Sequence, residues 1–294
     1  MTPSGASGSE SSSDLLVAQP RALIVTIYGL YARESAGWLS IAAVIRLMAE
    51  LGVDESAVRS AISRLKLRGL LEARREAGVA GYGLSSRGAE ILAQGDRRIF
   101  HRPKPSPADG WLLAVFSVPE HERARRHALR SRLAWLGFGT VSAGVWIAPR
   151  QLAGETRDAL TTDGLSGYVS LFTADYLAFG DVREKIGQWW DLDRLEQLYR
   201  GFIEAASPVL AYWQAGGNGG QRSPAGDAGR AFGDYVRVLT AWRRLPFLDP
   251  GLPPDMLPPD WDGSRAADLF GQLRSLLSSS AREHALAVTG EPLV

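Results

Sequence analysis

The sequence predicts an α+β chain in three parts: an N-terminal winged helix-turn-helix, a central α/β sandwich and a C-terminal helical region. Three observations carry this prediction. Residues 38–84 read as helix, tight turn, second helix and hairpin. The run HRPKPSP then breaks the chain with three prolines in seven residues. Beyond it, short apolar runs alternate with helical periodicity, the pattern of helices packed on a sheet. At 294 residues the chain is long enough for two or three domains with a sizeable buried core.

Residues 1–19 are rich in Ser and Gly and are expected to be a disordered leader. The winged domain is assigned to residues 20–100. Arg21 to Tyr31 is expected to be its first helix, with a strand as the alternative because Val25, Thr26, Ile27 and Tyr28 favour extended backbone. Ile41, Val44, Ile45, Met48 and Leu51 recur at helical spacing and bury one face of the next helix, which Gly52 stops. Asp54 caps the third helix, and Gly69 stands where a helix takes its left-handed C′ residue. Between them, Val58, Ala61, Ile62 and Leu65 form a narrow apolar stripe, and the other side is short, polar and basic. Such a helix suits a DNA major groove. Ser56, Arg59, Ser60, Ser63 and Arg64 are therefore the candidates for reading base edges. Leu70 to Arg75, a turn over Glu76 to Gly81, and Tyr82 to Leu84 make the wing. Lys66, Arg68, Arg74 and Arg75 are the candidates for phosphate contact, which positions without specifying sequence. A helix from Arg87 to about Gln94 closes the domain at Gly95.

Residues 101–108 are expected to be a stiff Pro-rich linker. The central domain, 109–180, opens with the buried strand WLLAVFSV. An Arg-rich helix from Glu120 to Leu136 follows, punctuated by Gly137, Gly139 and Gly144, then a strand at Val145 to Ile147. A short helix near Thr156 and a strand over Tyr168 to Thr173 complete it. Residues 181–290 are read as a helical C-terminal domain with a mobile loop at 214–229, and Pro246 to Trp261 as an extended segment docked on a surface.

Charge and composition narrow the function. The 33 basic and 32 acidic residues nearly cancel, but Arg21 to Arg102 holds 13 Lys and Arg against 8 Asp and Glu. Asp109 to Val294 holds 19 against 22, so the excess of positive charge sits with the helix-turn-helix. The absence of cysteine excludes disulfides, thiolate metal sites and thiol catalysis. No run of about eighteen apolar residues exists to cross a membrane, and the start lacks the basic and apolar regions of a secretory signal, so a cytoplasmic location is expected. The four histidines, at 101, 121, 127 and 284, do not fall at chelating spacing, and no metal site, cofactor or catalytic residue is expected.

Several segments together resemble the PaaX family, transcriptional repressors of phenylacetic acid degradation operons. They are RALIVTIYGLY, LGVDESAVRSAISRLKLRGLLEARR, LSSRG, WLLAVFSVPE, LAWLGFG, GVWIAPR, WWDLDRLEQLYRGFI and LPFLDPGLPPDMLPPDWDG, in the family's order from residue 21 to residue 263. The wing departs from the family pattern, with Tyr82 alone where a Tyr-Tyr pair is usual. The resemblance implies a homodimeric, non-enzymatic repressor of double-stranded operator DNA. It also implies a ferredoxin-like central domain similar to a small CRISPR-associated nuclease. The first strand here ends Phe116-Ser117-Val118, without the carboxylate such a nuclease needs to hold its metal. Release from DNA by phenylacetyl-coenzyme A or another aryl-CoA thioester is implied as well. For that effector, Trp189, Trp190 and Trp242 are candidates to stack an aryl group or adenine, with Arg243 and Arg244 near its phosphates; taken singly, each Trp reads more readily as helix-packing core. The alternatives from other classes are an enzyme acting on nucleic acid or CoA esters, and a winged scaffold that binds protein.

Overall fold

A computed structural model describes residues 16, 18–34, 36–101, 109–177, 179–216 and 226–290. The expected leader, Pro-rich linker and 214–229 loop fall largely outside these residues. The described chain packs as two units: residues 1–97, 200–243 and 264–294 form one, and residues 98–199 and 244–263 the other. The segment read as one C-terminal helical domain, 181–290, is thus shared between both units. Sequence order and packing partner separate because the long helices lie beside elements far away in the chain.

In the first unit, α1 (Pro20–Leu30), β1 (Trp38–Ser40), α2 (Ile41–Glu50), α3 (Glu55–Leu67), β2 (Leu71–Glu76), β3 (Val79–Leu84) and α4 (Ser86–Phe100) follow one another. The helical reading of α1 wins over the strand, because its buried residues, Leu23, Ile24, Thr26, Ile27 and Tyr28, lie on one helical face. β1 is unanticipated. It pairs antiparallel with β3, giving a three-stranded sheet ordered β1-β3-β2. Ser40 ends β1 and caps α2, accepting from the Ala43 amide at 3.0 Å. The hairpin turns in two residues, Ala77 and Gly78, both with positive φ, which matches a primed turn and lets β3 begin at Val79. α4 runs through Gly95 to Phe100 rather than stopping there. From the C-terminal half, α8 (Leu192–Gly216), α9 (Ala228–Trp242) and α11 (Asp262–Thr289) supply long helices. Thr26 on α1 hydrogen-bonds Thr240 on α9 at 2.7 Å, both buried. Glu50 on α2 meets His284 on α11 at 2.6 Å, and Arg46 donates to the Val288 carbonyl at 2.8 Å. Phe232 and Leu273 are fully buried in this shared core.

The second unit holds β4 (Trp111–Phe116), α5 (Arg123–Trp135), β5 (Gly139–Ser142), β6 (Val145–Pro149), α6 (Ala153–Thr162) and β7 (Val169–Ala174). The sheet is antiparallel throughout and ordered β5-β6-β4-β7. This βαββαβ order with the first strand central defines a ferredoxin-like sandwich. β5 is the strand missing from the sequence reading, where its glycines pass for turn residues. On one face of the sheet, Leu112, Ala114, Trp146 and Ala148 pack with Leu129 and Leu133 of α5 and Leu160 of α6. The other face is partly covered as well: Trp111 and Ile147 pack with Ile186 of α7 (Val182–Trp189), Trp190 and Leu252. Leu252 belongs to the Pro-rich segment read as extended from Pro246 to Trp261; it packs on this face, but its start is helical in α10 (Leu245–Leu248) and Pro254–Met256 makes a further helical turn. Arg98 is the buried cation of this unit; it pairs with Glu155 at 2.9 Å and donates to the Leu136 carbonyl at 2.8 Å.

Candidate nucleic-acid interface

α3 is held at both ends by side-chain and backbone chemistry that its sequence dictates. The Asp54 carboxylate accepts from the Ala57 amide at 2.9 Å and from the Ser56 hydroxyl at 2.6 Å. Those hydrogen bonds, Ser56 foremost, hold the Asp54 carboxyl below the usual carboxylate range. At the other end Gly69 takes φ +67°, and the Gly69 and Leu70 amides return to Lys66 and Leu65. Val58, Ile62 and Leu65 are buried almost completely, which fixes the helix's rotation.

With that face turned in, everything else on α3 is outward. Ser56, Ser60, Ser63 and Leu67 recur every three or four residues and so line the crest opposite the core. Arg59 and Lys66 flank the crest on one side and Arg64 on the other; all are exposed. Leu67 is 89 % exposed and has no core to join. Its position two residues after Leu65, on the opposite side of the helix, is the signal in the sequence that marks it, although it is not among the candidates for base contact. Arg59 meets Glu55 at 2.6 Å in an exposed pair, which holds only weakly in water. The Ser56 hydroxyl is occupied with the cap, leaving Ser60 and Ser63 as the small uncommitted polar groups of the crest.

The hairpin stands beside α3 through a chain of specific contacts. Tyr28, its phenol pushed up by burial, donates from Oη to the Tyr82 carbonyl at 3.0 Å. The Tyr82 ring faces Lys66, whose Nζ lies 5.7 Å from the ring centroid. Trp38 lies flat against Gly81, where a Cβ would collide with both the indole and the Leu39 carbonyl. Ser85 caps α4 by accepting from the Gly88 amide at 3.0 Å and donates to the Gly69 carbonyl at 2.6 Å. Ser85 and Gly88 of LSSRG thus tie α4 to the end of α3. Of the two arginines of β2, Arg75 is exposed and reaches the Gly78 carbonyl at 3.1 Å across the turn. Arg74 is turned inward, paired with Glu76, donating to the Ala36 carbonyl at 3.1 Å and lying over Gly83. Arg68, the α3 C-cap, is exposed.

The five effector candidates do not come together. Trp242 stacks on Phe270 with centroids 4.9 Å apart, and Arg243 donates to the Ala22 carbonyl at 3.1 Å; both belong to the first unit. Trp189, Trp190 and Arg244 belong to the second. There Trp190 is 8 % exposed and its indole N–H donates to the Gly137 carbonyl at 2.9 Å. It also forms one wall of an open cleft of about 560 Å³, completed by Met256, Leu257, Pro258, Arg183 and Asp193. That volume is of the size that admits a small molecule. Among the described residues, no three His, Cys, Asp or Glu side chains converge as a metal would require.

Comparisons with known proteins cover the same segments. A family model described as PaaX-like protein matches residues 19–88. A second, PaaX protein central Cas2-like domain, matches residues 104–186, and a third, PaaX-like protein C-terminal domain, matches residues 190–287. The transcriptional repressor PaaX of Escherichia coli (strain K12) is 25 % identical over 250 residues, spanning 84 % of this chain and 77 % of the repressor. The solved structure of uncharacterized protein Rv0674 from Mycobacterium tuberculosis shares the fold, with a TM-score of 0.51 at 24 % identity over 87 % of this chain and 99 % of that one.

Proposed function

This chain belongs to the PaaX-like family, and from that premise we propose that it is a transcriptional repressor that reads a two-fold operator through α3. The observation that carries the reading is the crest of α3, with small serines and one bare Leu67 flanked by cations and backed by a fully packed face. Small side chains let the helix backbone seat close to base edges in the major groove. Ser60, Ser63, Arg59 and Arg64 then reach donors and acceptors, and Leu67 offers apolar contact of the kind a thymine methyl accepts. Lys66, Arg68 and Arg75 serve the phosphates, and Arg74 holds the wing's shape. In this reading α2, α3 and the β2–β3 hairpin are a winged helix-turn-helix.

The repressor acts as a homodimer, so that two copies of α3 enter successive major grooves about 34 Å apart. Phenylacetyl-CoA or a related aryl-CoA is the effector that releases DNA. It can do so only through unequal affinity for the bound and free geometries. The cleft beside Trp190 is the place for its aryl end, since Trp190, Met256, Leu257 and Pro258 offer apolar walls. Regulation without turnover is the role, in keeping with the named relative being a repressor.

The test is fluorescence anisotropy on DNA from the gene's own upstream region against scrambled DNA of equal length, repeated across a phenylacetyl-CoA titration. Tighter binding to the upstream DNA, weakened as the thioester rises, is the expected result. Equal affinity for both DNAs would remove the repressor reading. Unchanged operator affinity across the titration would remove the effector alone.

A further inference from the structure

The four strands of the central sheet, WLLAVF, GTVS, VWIAP and VSLFTA, contain no charged residue. Their two edges are finished differently. β5 is four residues long and carries a register irregularity between Thr140 and Ser142. Its Gly139 is pressed so close to Trp190 that an added Cβ would lie 2.7 Å from the indole. A short, bulged, crowded edge resists further pairing. β7 has none of these protections. It stays in unbroken register with β4 over all six residues, Val169 to Ala174, with no Pro, Lys or bulge. Among the described residues, no backbone hydrogen bond reaches its outer side. Ser170, Phe172 and Thr173 are exposed, Phe172 at 53 %. Phe172 lies opposite Leu113, and Val115, 38 % exposed, lies opposite Ser170, so the bare edge continues into an apolar strip on the outer face.

We propose that β7 is the seam of the dimer: the strand pairs antiparallel with β7 of a second copy about a two-fold axis and joins two sheets into one of eight strands. The inference rests on the dimeric reading above and assigns its interface. Antiparallel self-pairing about a two-fold axis sets the residues nearest the axis beside their own copies, so a charge there would face its like. An uncharged strand escapes that cost. The pairing satisfies the outward backbone groups of β7 and brings Phe172 of each copy onto the same face across the seam.

Because the chain lacks cysteine, single thiols can be placed without background. Ser170→Cys, Leu171→Cys, Phe172→Cys and Thr173→Cys in the full chain, oxidised at low protein concentration, should cross-link most strongly at the position nearest the axis and fall away on both sides. Val141→Cys on β5 should stay uncrosslinked. In sedimentation, Phe172→Lys should raise the concentration at which the dimer dissociates about tenfold or more, with unchanged far-ultraviolet dichroism. A dimer that cross-links only through β5, or at no β7 position, overturns the proposal, as does a Phe172→Lys dimer as tight as the parent. Operator affinity measured on the same samples keeps the two readings apart. Specific binding by a chain that never cross-links at β7 removes the seam and leaves the repressor.

Discussion

Lys66 and Leu67 are neighbours at the end of α3, yet the helix turns them to different partners: Lys66 to the Tyr82 ring and Leu67 to solvent on the crest. If the crest enters the groove, Arg64→Ala should weaken operator binding by about 1–3 kcal/mol and scrambled-DNA binding by less, since a base contact discriminates between sequences. Equal losses on both DNAs, read by anisotropy, would reassign Arg64 to phosphate. Arg75→Ala should lower both affinities alike and reduce the slope of log affinity against log salt by about one. Arg74→Ala should act through the wing instead, lowering the melting temperature because its partners Glu76 and the Ala36 carbonyl lose their donor. Gly81→Ala is the sharpest local test of the wing. Its Cβ meets both Trp38 and the Leu39 carbonyl, so a loss of about 1–3 kcal/mol in urea unfolding is expected.

At the level of the element, α3 depends on Asp54 more than on intrinsic propensity, because three of its thirteen residues are serine or β-branched valine in the first half alone. The capping carboxylate has a folded-state pKa below its unfolded value. Its contribution is therefore present above the unfolded pKa and is lost as pH falls through the folded one. Asp54→Ala should be destabilised relative to the parent at pH 7 in urea titrations, and the gap should narrow as the pH falls below the ordinary carboxylate range and the parent's cap takes up its proton. A gap that widens on acidification would show that the carboxylate is not the cap. The wing is an element of another kind. Its strands carry little apolar side chain of their own, and Trp38 against Gly81 and Tyr28 on the Tyr82 carbonyl hold it to the rest of the first unit.

Across the whole molecule, the segment from α1 to α4 is not packed by its own residues alone. Thr26 meets Thr240, Tyr31 lies 5.8 Å from Phe232, and Glu50 meets His284, all within one unit. Phe232→Ala should cost about 3–5 kcal/mol by leaving a cavity under α1. It should also lower operator affinity although Phe232 touches no DNA. A fragment ending at Phe100 should melt well below the full chain by dichroism, since α9 and α11 leave with the deletion. A fragment as stable as the parent would contradict the shared core.

Features under local chemical control are legible in the residues themselves. Asp54 and Gly69 bound α3, the stripe Val58, Ala61, Ile62 and Leu65 fixes its buried face, and the order of elements follows from periods of two and 3.6 residues. The family resemblance was legible too, being carried by ordered blocks. Tertiary structure alone decided what depends on residues distant in the chain. β1 and β5 are too short and too glycine-rich nearby to declare themselves, and exist because β3 and β6 offer them partners. The division of Trp189, Trp190, Trp242, Arg243 and Arg244 between two units is of the same kind. Five aromatic and basic residues look like one pocket in sequence, but burial is settled by which helix lies across each of them. The inward turn of Arg74 has the same origin, since Glu76 lies on its own strand but the Ala36 carbonyl and Gly83 are brought to it only by the folded sheet.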